Sequence, residues 1–204
     1  KALIYIPKKA PFDYYSKDYQ KGLQLYTHGV KIMERSEDLL HDAYSFAKGV
    51  VESDDLTLNI SRETLQQDRQ LRVISKQINK KINKHLLDLQ KNEPEKYSEF
   101  FKEFGNNIKV AIYEAYGSNK EELQDLLLFH SKNEDKLISL REYKENAKSS
   151  EENILYATGD SLEKIKNSPA LAMVDEDSDV LLLDEAIDEF LIKMLEEYDG
   201  LSFK

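Results

Sequence analysis

Apolar residues near the start of the chain form short runs that predict strands. Residues 2–6 are apolar throughout, which is typical of a strand buried on both faces, and Pro7 stops its pairing. Partial alternation over residues 22–33 predicts a second strand, or a bent pair of strands around Gly29. The apolar residues of segment 44–51 then lead the chain towards a polar loop near residue 60.

The apolar pattern takes a helical period after Asp68. Apolar residues recur there every three or four positions and predict a helix of about seven turns, with Leu71, Ile74, Ile78, Ile82, Leu86 and Leu89 on one face. Ser61 has the side chain of an N-cap, which puts Arg62 at the first helical position. A cation at this positive end of a helix is disfavoured by about 0.3–1 kcal/mol unless an anion lies near. The loop and helix start therefore predict an anion-binding site.

Arg62 and Gln66 permit two interpretations. Both residues lie roughly opposite the apolar face of the predicted helix, so neither belongs to its core. They are either ordinary solvated polar residues, or two side chains one turn apart that project towards a phosphate at the start of the helix. Periodicity alone does not decide between these interpretations.

The middle of the chain predicts a helical connector. Aromatic and aliphatic residues between positions 92 and 130 favour three short helices, with Gly105 and Gly117 ending the first two. None of the three is long enough to be stable alone, so we expect them to pack on one another between two sheet-containing parts.

The last third of the chain alternates strands and helices. Residues 154–157 and 180–183 are expected to be strands that flank a helix capped by Asp160, and a closing helix stops at Gly200. This succession predicts a βαβ unit with a parallel pair of strands.

The predicted elements together define an α+β fold of αβα layers. A larger α/β part is expected over residues 1–91, a helical connector over 92–130 and a smaller βαβα part over 131–204. The chain opens at Lys1 directly before a strand-like run and without an initiating Met, so we expect a fragment of a longer protein.

An aromatic segment follows the first predicted strand. Its large rings lie among charged residues, and they belong to Phe12, Tyr14, Tyr15 and Tyr19. Either the rings fold back onto the local core, or they form a contact surface for another protein or domain, a role for which exposed tyrosine and phenylalanine are suited.

Composition restricts the function classes. The formal net charge of -10, without a basic stripe to offset 39 acidic residues, argues against a general nucleic-acid binder. Cysteine is absent, which excludes a disulfide framework and thiolate catalysis, and together with the lack of a signal peptide it favours the cytoplasm. No apolar run approaches the roughly 18 residues of a membrane span, so no membrane partner is expected.

Metal and standard nucleotide motifs have little support. Asp175, Asp177 and Asp179 resemble the opening of a calcium loop, but Val180 replaces its glycine and Ala186 its last carboxylate. The four histidines lack metal-ligand spacing, and neither glycine-rich phosphate-binding motif occurs. We therefore expect no metal site, and the base and sugar of any nucleotide must be held by another element.

Four segments carry a resemblance to a known family, namely residues 6–13, 46–56, 58–67 and 154–161. They closely resemble the middle domain of the heat-shock protein 90 chaperone family, whose bacterial members look nearest, and the resemblance covers essentially the whole chain. It implies a homodimeric, cytoplasmic, ATP-dependent chaperone in which a separate N-terminal domain binds ATP and Mg²⁺ and a C-terminal domain dimerises. This fragment would then hold no cofactor and would not be an enzyme in isolation. The family's middle domain begins upstream of Lys1, so the resemblance also implies that the first N-terminal strands are missing here.

The family motif assigns roles to the polar loop. In the motif Asn-hydrophobic-Ser-Arg-Glu the arginine reaches the ATP γ-phosphate and the glutamine one turn later supports that contact. These positions are Arg62 and Gln66, with Asn59 and Ser61 as loop and cap support. Residues 27–31 depart from the basic and aromatic pattern of many relatives, so contacts assigned there are not carried over.

The aromatic segment also has a counterpart in the family. The loop that carries Phe12 resembles the family's amphipathic loop, which is linked to client proteins and to contacts between domains. The resemblance thus implies unfolded or partly folded clients as partners. The alternative function is a protein-interaction module only, which binds partners through these rings and contributes nothing to ATP hydrolysis.

Overall fold

The computed structural model describes residues 1–56, 69–147 and 152–204. They form two compact units, Lys1–Leu89 (unit 1) and Gln90–Lys204 (unit 2). Both units contain helices and a β-sheet, so the mixed α and β class that the sequence predicts is confirmed. The three-part division with boundaries at residues 91 and 130 stays a prediction.

Unit 1 is built on a sheet whose strands are β1 (Ala2–Tyr5), β2 (Leu23–Thr27), β3 (Val30–Ser36) and β4 (Lys48–Glu52). The strand order is β1-β4-β2-β3, with β4 antiparallel to β1 and parallel to β2. β2 and β3 form an antiparallel hairpin that turns at His28 and Gly29, both at positive φ. The bent pair of strands predicted around Gly29 is therefore confirmed.

Strand β1 differs from its prediction. The apolar run favoured a strand buried on both faces, but Leu3 and Tyr5 are 70% and 59% exposed. Among the described residues β1 pairs only with β4, at the edge of the sheet, and a strand at an edge does not need two covered faces. The prediction of a doubly buried strand is wrong.

The long helix α1 (Arg69–Asn92) covers the core of unit 1, and its apolar period is confirmed over the described part. Leu71, Ile78, Ile82 and Leu86 are buried. Two asparagines attach α1 to the segment between β3 and β4, which contains two 3-10 turns, Glu37–Leu39 and Asp42–Tyr44. The Asn79 side chain accepts from the His41 backbone N–H at 2.9 Å, and Asn83 donates to the Tyr44 hydroxyl at 2.8 Å.

Unit 2 begins with one long helix where the sequence predicts two short ones. Helix α2 (Pro94–Glu114) runs through Gly105 without a break and is followed by the short helix α3 (Lys120–Leu123) and a 3-10 turn, Gln124–Leu126. The Phe101 ring lies against Gly105, where an added Cβ would come within 2.6 Å of a ring carbon. Gly105 thus makes room for an aromatic ring inside a helix, and its prediction as a helix end is wrong.

The remaining chain of unit 2 forms two sheets. A four-stranded sheet has the order β6-β5-β9-β8, from β5 (Leu128–Ser131), β6 (Leu137–Ser139), β8 (Tyr156–Thr158) and β9 (Leu181–Leu183). A three-stranded sheet joins β7 (Asn153–Ile154) to β10 (Glu197–Tyr198) and β11 (Leu201–Phe203). β8 and β9 are parallel, which confirms the predicted parallel pair. β5 starts inside the segment 92–130, where the sequence predicts helices, so the prediction is wrong at this end of the segment.

Two of the remaining helices of unit 2 start or end at residues other than those predicted from the sequence. They are α4 (Leu140–Asn146), α5 (Leu162–Lys166), α6 (Pro169–Ala172) and α7 (Asp188–Leu195). Ser161, not Asp160, caps α5, because its side chain accepts from the Lys164 backbone N–H. α7 stops at Glu196, which has a φ of 62°, and the predicted end at Gly200 instead lies in the turn between β10 and β11.

Replacement of Gly49 by alanine should destabilise unit 1 far more than the same change at Gly29. Both glycines have positive φ, which costs an alanine about 1–2 kcal/mol. At Gly49 an added Cβ would also overlap the Leu3 carbonyl oxygen and lie 2.9 Å from the Ile4 Cα, whereas Gly29 has no neighbour within 4 Å. We expect Gly49→Ala to lose about 1–3 kcal/mol more in the free energy of unfolding. Urea titrations of both variants measure this, and equal losses would contradict it.

Candidate functional site

The loop predicted to carry the catalytic arginine lies outside the described residues. This concerns Arg62 and Gln66 together with Asn59 and Ser61, so their predicted roles stay predictions. The structure does describe the chain that leads into the loop, from β4 to Leu56, and helix α1 from Arg69 onwards. The candidate site is therefore built from these flanking residues.

The chain between β4 and Leu56 is held by the tip of the β2–β3 hairpin. The Thr27 hydroxyl donates to the Leu56 carbonyl at 2.8 Å, and both residues are buried. The Ser53 backbone N–H donates to the Tyr26 carbonyl at 3.1 Å. Leu56, the last described residue before the loop, thus has a fixed place in the core of unit 1.

Two acidic side chains reinforce this attachment. Asp54 Oδ1 accepts from the His28 backbone N–H at 3.3 Å and lies 3.6 Å from the His28 Nδ1. Glu52 Oε1 accepts from the Gly29 backbone N–H at 3.2 Å. The two N–H groups at the turn therefore bind carboxylates from the segment that leads into the loop.

Helix α1 has a basic character that the composition concealed. It contains seven Lys and Arg residues against one Asp. Arg69, Arg72, Lys76 and Lys80 are exposed and follow one another at helical spacing, which puts them on one face. The expectation that the chain has no basic stripe is therefore wrong. The stripe produces a local positive potential although the whole chain is acidic.

The aromatic segment, residues 7–21, contains rings that fold back onto the core and rings that are exposed, so each of the two interpretations holds for part of it. Tyr14 is buried, its hydroxyl lies 2.9 Å from Ser45 Oγ, and burial raises the pKa of Tyr14 well above its ordinary value. Tyr19 donates to the Ser45 carbonyl at 3.0 Å and packs edge-on against Tyr14, with the Lys48 ammonium 4.6 Å from its ring centroid. These two rings fold back onto unit 1.

Phe12 and Tyr15 have the opposite placement. Phe12 is fully exposed and Tyr15 is 60% exposed. The Tyr15 ring packs edge-on against Tyr14 with 4.8 Å between the centroids. Phe12 and Tyr15 are therefore the accessible rings of this segment, and Tyr14 packs against that of Tyr15.

A buried ionic cluster in unit 2 was missed by the sequence analysis. Lys109 of α2 lies 2.7 Å from Asp188 and 3.2 Å from Glu185, and its ammonium is 5.4 Å from the centroid of the Phe129 ring. Lys109 and Asp188 are both buried. Burial raises the pKa of Asp188, although the nearby Lys109 ammonium acts to lower it. A signal was available, because Lys109 falls at helical spacing within the apolar pattern of α2, three residues before the buried Ile112.

This cluster borders a cavity of about 140 Å³ in unit 2. Its lining combines aromatic rings with charged groups, including Lys102, Asp184 and His130. Burial lowers the pKa of His130, so the imidazole is neutral at pH 7. The cavity is smaller than ordinary ligand pockets, and the paired charges around it fix the packing of α2 against α7.

One of the acidic residues that resembled a calcium loop, Asp179, has a structural role. Asp179 accepts from the Ser131 hydroxyl at 2.7 Å and from the Asn133 backbone N–H at 3.1 Å. Within residues 1–56, 69–147 and 152–204, no three His, Cys, Asp or Glu residues are grouped so that they could hold a metal ion. The helices in these ranges include none with the length and apolar character needed to cross a membrane.

Comparison with known proteins identifies the class to which this chain belongs. The sequence profile described as Hsp90 protein matches residues 1–204, so the chain is a member of the Hsp90 family. It is 50% identical over all 204 residues to the chaperone protein HtpG of Bacillus subtilis (strain 168) and to that of Halalkalibacterium halodurans. The HtpG of Clostridium perfringens is 48% identical over the same length. The chain spans about a third of the length of these relatives, 33% in each case.

Removal of one partner from the buried pair should destabilise the protein, and removal of both charges should not. Lys109→Met leaves the Asp188 carboxylate buried without its cation, which costs about 3–5 kcal/mol at pH 7. The double variant Lys109→Met with Asp188→Asn should recover most of this loss. Guanidinium titrations of the single and double variants measure it, and a double variant as unstable as Lys109→Met would contradict it.

The loss in Lys109→Met should also depend on pH. The pKa of Asp188 is raised in the folded state, so its stabilising contribution is present below the unfolded pKa of about 3.9 and is lost as pH rises through the folded pKa. The variant should therefore differ least from the wild type near pH 4 and most at pH 7. A loss that stays constant over this range would show that charge burial is not its cause.

Proposed function

We propose that this chain is the middle domain of an Hsp90-type, ATP-dependent chaperone and supplies Arg62 to the γ-phosphate of ATP bound on a separate N-terminal domain. The observation that carries the proposal is the family match over the whole chain, together with the run from Asn59 to Gln66 that contains the family's arginine motif. Gln66 would support the arginine, and Asn59 and Ser61 would hold the loop and cap the helix.

Electrostatics at the described flanks supports this role. An arginine guanidinium donates in a fixed fork that suits phosphate oxygens, and it stabilises the charge that develops on a transferred phosphoryl group. The basic face of α1 begins seven residues after Arg62, at Arg69, and adds a field that favours the approach of a polyphosphate. The attachment of Leu56 fixes the other end of the loop.

The remaining parts of the activity would come from other domains. ATP and Mg²⁺ would bind the N-terminal domain, and a C-terminal domain would join two copies into a homodimer in the cytoplasm. The middle domain would contribute to ATP hydrolysis only when closure brings Arg62 to the nucleotide, so closure would set the rate. In isolation the chain would not be an enzyme.

Client binding is the second part of the proposal. Phe12 and Tyr15 offer accessible aromatic surface, the Tyr15 ring packs against Tyr14, and such rings suit contacts with unfolded or partly folded proteins. The exposure of Phe12 also favours the alternative function, a module that binds partners and has no part in ATP hydrolysis. The two functions make different predictions for Arg62.

Arg62→Ala in the full-length protein should abolish most ATP hydrolysis while ATP binding changes little. Loss of a charged group that contacts only the developing phosphate charge should lower kcat about 100-fold. Arg35→Ala is the matched control, since it removes the same charge from an exposed residue of β3, outside the basic face of α1, and should leave kcat unchanged. Steady-state hydrolysis and nucleotide titrations measure both effects. Unchanged turnover in Arg62→Ala would exclude a role of this chain in ATP hydrolysis and leave the protein-interaction module as its function.

Substitution of Phe12 and Tyr15 by serine should weaken client binding without changing ATP hydrolysis in the absence of client. Each accessible aromatic anchor contributes on the order of 1–2 kcal/mol to such contacts, so the double variant should bind an unfolded model protein about tenfold or more weakly. Met173→Ser, which removes an exposed apolar side chain from unit 2, is the control. Fluorescence anisotropy with a labelled unfolded protein measures the affinity. Equal affinities for the double variant and the wild type would exclude Phe12 and Tyr15 as a client-binding surface.

A further inference from the structure

We infer that Thr27 is a positioning residue for ATP hydrolysis, because its hydroxyl fixes the chain at Leu56, the last described residue before the loop of Arg62. The inference rests on the proposed role of Arg62. It concerns a different residue, on the β2–β3 hairpin, in the segment 27–31 where the sequence departs from the family pattern.

Because Thr27 is buried, its hydroxyl depends on a hydrogen-bond partner within the protein. The side chain is 0% exposed, so the hydroxyl has no access to water and would be costly to leave without a partner. Its partner is the backbone carbonyl of Leu56, a group that belongs to no strand or helix of the structure. A valine has nearly the same shape and would fill the same space, so the hydroxyl contributes the hydrogen bond and not the packing.

The other contacts of the hairpin tip act on the same segment. The β2–β4 ladder ends at the pair Tyr26 and Glu52, and Ser53 then donates to the Tyr26 carbonyl. Asp54 accepts from the His28 backbone N–H. The Thr27 contact with Leu56 thus extends the attachment of this segment beyond the end of the ladder.

The distance along the chain makes this attachment relevant to Arg62. Arg62 follows Leu56 by six residues, which can reach at most about 20 Å when fully extended. Because only six residues separate them, we expect a shift of the Leu56 carbonyl to change where Arg62 meets its ligand, and a misplacement of about 1 Å can cost up to 100-fold in rate. Release of the Leu56 carbonyl should therefore act on the chemical step and not on ATP affinity.

The test compares Thr27→Val with Thr27→Ser in the full-length protein. Thr27→Val removes the hydroxyl and keeps the shape, so kcat should fall about threefold to tenfold while the KM for ATP stays unchanged. Thr27→Ser keeps the hydroxyl and loses only the methyl group, so this variant should keep at least half of kcat. Since Thr27 acts through Arg62, Thr27→Val should have no further effect on the residual rate of Arg62→Ala.

The outcomes separate this inference from the proposed function. If Arg62→Ala leaves kcat unchanged, the proposed function fails. If Arg62→Ala lowers kcat but Thr27→Val does not, or lowers it by the same factor in the Arg62→Ala background, the positioning role of Thr27 is overturned. Circular dichroism and thermal unfolding establish that each variant folds.

A second variant covers the case in which Thr27→Val does not fold. Asp54→Ala removes an exposed carboxylate from the same attachment and leaves the core intact. It should lower kcat by a smaller factor, about twofold, with KM unchanged. A kcat equal to that of the wild type would overturn the role of the hairpin tip. Asp55→Ala, the adjacent exposed carboxylate, is the control.

Discussion

Unit 1 depends on the close approach of β4 to β1 at Gly49. No side chain fits there, because a Cβ would overlap the Leu3 backbone, and the approach lets β4 pair with β1 on one side and β2 on the other. Parallel pairing of β2 and β4 requires a crossover, which Asn79 and Asn83 attach to α1. The direction in which the chain leaves β4, and the place of Leu56, follow from these pairings.

Regular periodicity predicted the elements that repeat a local pattern. The apolar face of α1, the hairpin around Gly29 and the parallel pair β8 and β9 were all accessible from the sequence. Elements decided by contacts between distant residues were not. A glycine such as Gly105 is typical of a helix end, and only the Phe101 ring beside it explains why α2 continues through this position. Likewise β1 has the composition of a buried strand, although its position at the edge of the sheet exposes it.

The candidate site shows the same division. The motif from Asn59 to Gln66 can be read from the sequence, and its ligand can be named only from the family resemblance. The contact of Thr27 with Leu56 and the pairing of Lys109 with Asp188 join residues far apart in the chain. The helical period can indicate that Lys109 is buried, but no local pattern identifies its partner. Burial makes the loss of either contact costly in free energy of unfolding, since a polar group without a partner destabilises a core far more than a surface.

The pairing of Lys109 with Asp188 has a consequence for the response of unit 2 to heat. Hydration of charged groups becomes less favourable as temperature rises, so the penalty for withholding this pair from water falls, whereas stabilisation by apolar area levels off. Together with Glu185 the pair forms a small network between α2 and its neighbour α7. On warming, this junction should therefore retain a larger share of its strength than a purely apolar junction.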